Sequence, residues 1–290
     1  MPRWLLWSLL AVVCWGLWAV TARFIGEALT AAQSQALSTL GILPVLLALA
    51  SSSRSSVIGN ARRGRIIAFA SGAVVCAGNV AYYHALGLGE KAATVVPLTA
   101  LYPVVTVLLA TLLLRERLNA VQWAGTLLAG VAIWLFNVTG LAGLSSGWLP
   151  YALAPILLWG IGGFLQKLST AHLSGELSTL WFLWAFVPAT AGILWVDPLA
   201  RSPEPRTWIF AAALGLLFGL GNLGLLKAFA SQGKASVISP LAGLYPVVSV
   251  PAAILLFGER VGGREWAAIA LAVAGAIALA WESPGAKTSE

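Results

Sequence analysis

Charged side chains are scarce in this chain: 17 basic and 10 acidic residues among 290, a share of 9%, where soluble domains carry about 25%. Hydrophobic residues fill 59% of it, which excludes a soluble enzyme or a nucleic-acid-binding domain despite the net charge of +7. The acidic residues Glu27, Glu90, Glu116, Glu176, Asp197, Glu204, Glu259, Glu265, Glu282 and Glu290 all fall at or near the ends of apolar runs. A proton relay built on a carboxylate in mid-membrane therefore lacks its central part. Cysteine is limited to Cys14 and Cys76 and histidine to His84 and His172, so neither a disulfide framework nor a metal-ligand cluster is expected. There is no phosphate loop and no serine or cysteine dyad, and His172 with Glu176 lies between apolar runs. The sequence predicts no catalytic residue, no cofactor and no metal.

What remains is apolar sequence cut by short polar breaks. A bilayer-spanning helix needs roughly 20 mostly apolar residues. The breaks leave ten such runs, at about 4–25, 30–50, 65–88, 92–113, 120–138, 148–170, 176–196, 206–231, 235–257 and 264–282. The fold class predicted is an all-α integral membrane protein with ten transmembrane helices. The first run is too long and too rich in Trp for a signal core, so it is read as a retained helix. Both cysteines fall inside runs, where a small apolar role is expected.

The chain contains one stretch twice. Pro97-Leu98-Thr99-Ala100-Leu101-Tyr102-Pro103-Val104-Val105 returns as Pro240-Leu241-Ala242-Gly243-Leu244-Tyr245-Pro246-Val247-Val248. At this offset of 143, 19 of the 46 positions from Gly78 to Trp123 are identical, among them Asn79 with Asn222, Lys91 with Lys234 and Glu116-Arg117 with Glu259-Arg260. Upstream, at an offset of 144, Trp15-Gly16 matches Trp159-Gly160 and Arg23 matches Lys167. The chain therefore divides into related halves, 1–145 and 146–282, followed by a polar tail, 283–290. Five spans per half is an odd number, so the second half enters the membrane inverted. Inverted repeats place a binding site near the midplane between the halves.

Orientation follows from the basic residues. Arg3, Arg54, Arg62, Arg63, Arg65, Arg115, Arg117, Lys167, Lys227, Lys234 and Lys287 fall on the side of the termini, and Arg23, Lys91, Arg201, Arg206, Arg260 and Arg264 fall opposite. This split of 11 to 6 of the 17 basic residues predicts cytoplasmic termini. Lys227 aligns with His84 but faces the inner side by inversion, and the arginines of the 51–65 loop face anionic headgroups.

Proline inside a helix removes a donor and crowds the preceding turn. In lipid the freed carbonyls are tolerated where they are buried in protein or line a cavity. Pro97, Pro103, Pro240 and Pro246 are thus expected to break spans 4 and 9 into half-helices that gate a central cavity. The polar and aromatic residues expected to line it are Trp15, Trp18, Asn79, Tyr82, Tyr83, His84, Tyr102, Trp159 and Tyr245. Asn79, Tyr82 and Tyr83 share a helical face. Glu116 and Glu259 end spans 4 and 9, the unfavourable pole for an anion, and are expected to be held by adjacent arginines or capping contacts. Gly215, Gly219 and Gly221 read as a packing seam.

The two inverted five-helix halves, the doubled Pro…Leu-Tyr-Pro-Val-Val segment and the helix-end Glu-Arg before a Trp-bearing helix resemble the drug/metabolite transporter superfamily, in its EamA-type branch. The density of Trp and Tyr is similar to that of its aromatic amino acid exporters of the YddG type. Arg115 departs from the pattern, standing where the second half has Gly258. The resemblance implies a secondary transporter of the bacterial inner membrane that exports aromatic or other apolar amino acids and related small metabolites by alternating access. Its partners are a small-molecule substrate and the lipid bilayer, with no nucleic acid, and a monomer is compatible with it. The missing acids point to facilitated flux. Aromatic walls equally suit a multidrug exporter of hydrophobic cations, and a membrane-embedded lipid-modifying enzyme is disfavoured by the absent nucleophile and metal ligands.

Overall fold

The computed structural model describes residues 3–25, 29–52, 55–88, 92–116, 118–137, 147, 149–231, 234–279 and 281. The junction of the halves at 145–146, the tail 283–290 and Arg54, Lys91, Arg117 and Lys287 lie outside the described residues. The chain is helical and, among those residues, carries no strand beyond an isolated bridge between Val57 and Leu173.

Span 1 is α1 (Arg3–Thr21), which tightens into a 3-10 turn at Ala22–Phe24. Spans 2 and 3 are α2 (Ala31–Ala50) and α3 (Ala61–Gly87). Span 4 is two half-helices, α4 (Ala92–Thr99) and α5 (Pro103–Leu113), and span 5 is α6 (Ala120–Asn137). The second half repeats the series as α7 (Leu149–Thr170), α8 (Gly175–Trp184) with α9 (Phe186–Val196), α10 (Pro205–Ala230), α11 (Ala235–Ala242) with α12 (Pro246–Phe257), and α13 (Gly263–Leu279). Among the described residues, eight of these spans are long and apolar enough to cross a bilayer. The shorter α6 and α13 pack on one another.

The sequence placed the start of span 3 and the course of span 7 differently. α3 starts at Ala61, so Arg62, Arg63 and Arg65 stand in its first turns and not in a loop. Asn60 causes this: its side chain accepts the Arg63 amide at 2.9 Å and caps the helix. The 51–60 linker is also pinned, with Ile58 N donating to His172 O at 2.9 Å and Ser174 N to Ser56 O at 2.9 Å. Span 7 is interrupted at Ala185, because the ring of Pro188 crowds the carbonyl four residues back, at Trp184.

The halves interlock instead of standing side by side. α1 lies against α10 and α3 against α7, each pair joining one half to the other, and the broken spans cross at their breaks. Close approach requires glycine at the crossings. A Cβ on Gly215 would stand 1.8 Å from Ser38 O, one on Gly41 1.9 Å from Ala212 O, and one on Gly72 2.0 Å from Phe182 O. Gly72 is the repeat equivalent of Gly215, so the inversion is carried into the packing.

Pro103 and Pro246 each occupy the first position of the second half-helix. There the missing N–H would have no helical partner anyway. Pro97 and Pro240 lie within α4 and α11. The breaks themselves, 100–102 and 243–245, are not left open. Leu101 N donates to Leu98 O at 3.2 Å, Tyr102 N to Thr99 O at 3.2 Å and Leu244 N to Leu241 O at 3.1 Å, so tight three-residue turns occupy these amides.

Glu116 and Glu259 do follow the C-terminal ends of α5 and α12, yet each caps the start of a half-helix in the opposite half. Ser236 N donates to Glu116 Oε2 at 3.2 Å, and Ala92 N donates to Glu259 Oε1 at 3.0 Å. The carboxylates therefore sit at helix N-termini, the favourable pole for an anion. Arg115 takes φ 58°, matching the 62° of Gly258, so the first half keeps the helix-end geometry without the glycine.

Candidate functional site

Between α1, α3, α7, α10 and the two breaks lies a cavity of about 40 Å³ walled mainly by rings and amides. Tyr102 and Tyr245 enter it from the breaks, Trp15 and Trp18 from α1, Trp159 and Gln166 from α7, Asn79 from α3, and Phe218 and Asn222 from α10. None of the described residues lining it is charged.

The ring geometry follows the repeat. Trp15 stands edge-on to Tyr102 and Tyr245, with centroids 6.4 and 6.5 Å apart, and Trp159 stands edge-on to Tyr102 at 6.2 Å. Trp18 stacks on Tyr82 at 5.0 Å and touches Trp159 and Phe218 at 5.8 and 5.9 Å. Such offset and edge contacts are the favoured arrangements of aromatic rings. They also hold each ring by several neighbours, which gives the wall a defined shape.

Glycines set the indoles in place. A Cβ on Gly78 would stand 2.6 Å from Trp159 Nε1, and one on Gly221 2.4 Å from Trp15 Nε1, so both tryptophans lie directly on backbone. Trp159 Nε1 donates to Asn79 Oδ1 at 3.0 Å. Gln166 Nε2 donates to Asn222 Oδ1 at 2.9 Å, and Asn222 Nδ2 donates to Phe218 O at 2.9 Å. The Tyr245 hydroxyl reaches Thr99 Oγ1 at 3.3 Å and donates to Val96 O at 3.4 Å, tying its break to α4. The Tyr102 hydroxyl faces Ser239 on α11 without closing a hydrogen bond.

Of the nine residues expected at the cavity, Trp15, Trp18, Asn79, Tyr102, Trp159 and Tyr245 line it. Tyr82 is fully buried behind Trp18 and Trp159, its hydroxyl donating to Ala19 O at 3.3 Å. Tyr83 and His84 instead border a separate cavity of about 290 Å³ with Thr30 and Ser34, where His84 packs on the Tyr151 ring at 4.2 Å. Asn222 and Gln166 were missing from the expected set. For Asn222 a signal existed, since it is the repeat equivalent of Asn79. Gln166 has Ala22 at its equivalent position and gave none. Outside the cavity, Lys227 pairs with Glu176 at 2.8 Å and lies over the Trp7 ring at 4.1 Å, a structural ion pair.

About 40 Å³ holds a few water molecules, each of which needs roughly 10–15 Å³ on this measure. A solute larger than that does not fit without movement of the walls.

Comparison with known proteins agrees with this architecture. The model of the EamA-like transporter family matches twice, over residues 2–138 and 146–281. An uncharacterised transporter from the cobO 3′ region of a Sinorhizobium species is 30% identical over 140 residues, which are 47% of this chain and 99% of that protein. An uncharacterised transporter of Pseudomonas aeruginosa is 29% identical over 177 residues, 58% of this chain and 55% of the relative. One crystal structure superposes over 94% of this chain and 97% of its own with a TM-score of 0.71 at 20% identity, a likeness of fold alone.

Proposed function

The chain belongs to the EamA-like transporter family, and on that premise we propose that it exports aromatic or other apolar amino acids and related small metabolites by alternating access. The observation that carries this reading is the uncharged aromatic cavity at the crossing of two broken helices. Ring walls stack on a planar side chain. The amides of Asn79, Gln166 and Asn222 offer hydrogen bonds to the polar end of the same molecule. Trp15, Trp18, Tyr102, Trp159 and Tyr245 form the wall in this reading, Tyr82 braces it, and Tyr83 and His84 lie on the neighbouring cavity.

Gating falls to the half-helices. Pro97, Pro103, Pro240 and Pro246 give each broken span a joint, and the crossed caps of Glu116 and Glu259 couple each joint to the opposite half. Inverted halves exchange their conformations as access switches sides. No acidic side chain reaches the cavity among the described residues, which favours facilitated flux down the substrate gradient. In this reading the protein sits in a bacterial inner membrane with both termini cytoplasmic, an orientation that the split of the basic residues supports.

Uptake of radiolabelled phenylalanine, tryptophan and threonine into proteoliposomes tests the proposal, with and without an imposed pH gradient. Saturable flux without the gradient is expected, reduced in Tyr102→Ala. Accumulation driven only by the pH gradient would refute facilitation. Flux of hydrophobic cations with no amino acid flux would replace the substrate class.

A further inference from the structure

The halves build one feature twice and then treat it differently. Trp159 lies on Gly78 and donates to the next residue, Asn79, at 3.0 Å. Trp15 lies on Gly221 in the same way, so the next residue, Asn222, is its natural acceptor. The Asn222 amide is instead turned to Gln166: Asn222 Oδ1 receives Gln166 Nε2 at 2.9 Å, and Trp15 Nε1 is left buried without a partner. In the first half Ala22 stands at the position equivalent to Gln166 and cannot compete.

A buried donor without an acceptor is costly. Such a group is retained most readily where a ligand completes it, and Trp15, Gln166 and Asn222 all line the central cavity. We propose that Trp15 Nε1 is the docking point for an acceptor oxygen of the transported molecule, a carboxylate or a carbonyl, and that Gln166 is a specificity-determining residue that keeps this donor vacant by holding the Asn222 amide turned away from it. The inference rests on the cavity being the substrate site and adds a chemical selection to it. An indole N–H donates only, so it favours ligands that bring an acceptor over those that bring only an ammonium group. The opposite half shows the alternative outcome, an indole satisfied internally by its asparagine and offering nothing.

Three probes that share a benzyl group separate the possibilities: phenylalanine, phenylacetate and phenethylamine, with binding to the purified protein measured by calorimetry. In the wild type the two carboxylates are expected to bind about tenfold or more tightly than phenethylamine, the usual scale for a hydrogen bond to a charged group. Trp15→Phe alters the wall for all three probes, and beyond that common loss it should lower the affinity of both carboxylates by about the same factor relative to phenethylamine. Gln166→Leu should do likewise with the indole still present, because Asn222 is then free to accept from it. Adding Asn222→Leu to Gln166→Leu removes that acceptor and should recover carboxylate affinity relative to Gln166→Leu alone, short of the wild type because both amides are lost. If Trp15→Phe does not fold, the Gln166→Leu pair carries the test.

Unchanged carboxylate affinity relative to phenethylamine in these variants, or no recovery in the double variant, would overturn the docking assignment while leaving amino acid transport standing. Failure of all three probes to bind the wild type would overturn both readings.

Discussion

Replacing Gly215 by alanine should unlock the crossing of α2 and α10. The new Cβ would stand 1.8 Å from Ser38 O and 2.8 Å from the backbone of Gly41. Ordinary contact is about 3.4 Å, so the helices would have to part by 3.4 − 1.8, or about 1.6 Å. Both obstacles are backbone, which has no rotamer to turn aside. Overpacking of this kind costs typically about 1–3 kcal/mol, and more where nothing can yield. Helices in lipid associate through close van der Waals packing without a hydrophobic drive, so little compensates for the separation. Alanine returns at most about 1 kcal/mol through helix propensity. The net expectation is a loss of about 1–2 kcal/mol or more. Gly192 in α9 supplies the control, since a Cβ there meets nothing within 4 Å. Gly192→Ala should gain up to about 1 kcal/mol. Thermal unfolding in detergent, followed by tryptophan fluorescence, should rank Gly192→Ala at or above the wild type and Gly215→Ala below it. Equal midpoints for the two variants would refute the reasoning.

The crossed caps predict that Glu116→Ala and Glu259→Ala each cost about 1 kcal/mol of stability, with the glutamine variants retaining part of the acceptor. The two losses should add in the double variant because the caps share no residue; unfolding of the three proteins checks this. Gly258→Ala should cost about 1 kcal/mol through its φ of 62° alone, since no atom lies within 4 Å of the added Cβ. Arg115→Gly, at φ 58°, should be neutral or stabilising by up to about 1 kcal/mol, and a clear drop in its midpoint would contradict the left-handed geometry.

Much of this architecture was legible before any coordinates. Apolar runs of bilayer length report spans directly, because each residue in a run must satisfy its backbone within its own helix. The doubled Pro-Leu segment located both breaks within a residue or two, since proline acts on the turn that contains it. The interruption at Ala185 was missed although Pro188 lies close by, because one proline in an apolar run does not say whether the helix bends or stops. Six cavity residues were likewise readable from ring and amide content in two related halves. Tyr83 and His84 were not separable from them, since helical spacing gives a face but not the element that face meets.

The sequence by itself determined the ten spans, the inverted repeat, the positions of the paired breaks and the aromatic character of the centre, all properties carried by local composition and period. Tertiary structure alone decided which distant residues pair. Glu116 caps α11 and Glu259 caps α4, Gly41 receives Gly215, and Gln166 holds the asparagine amide turned away from Trp15. These contacts join residues from 56 to 174 positions apart along the chain, and only the crossing of whole helices brings them within bonding distance.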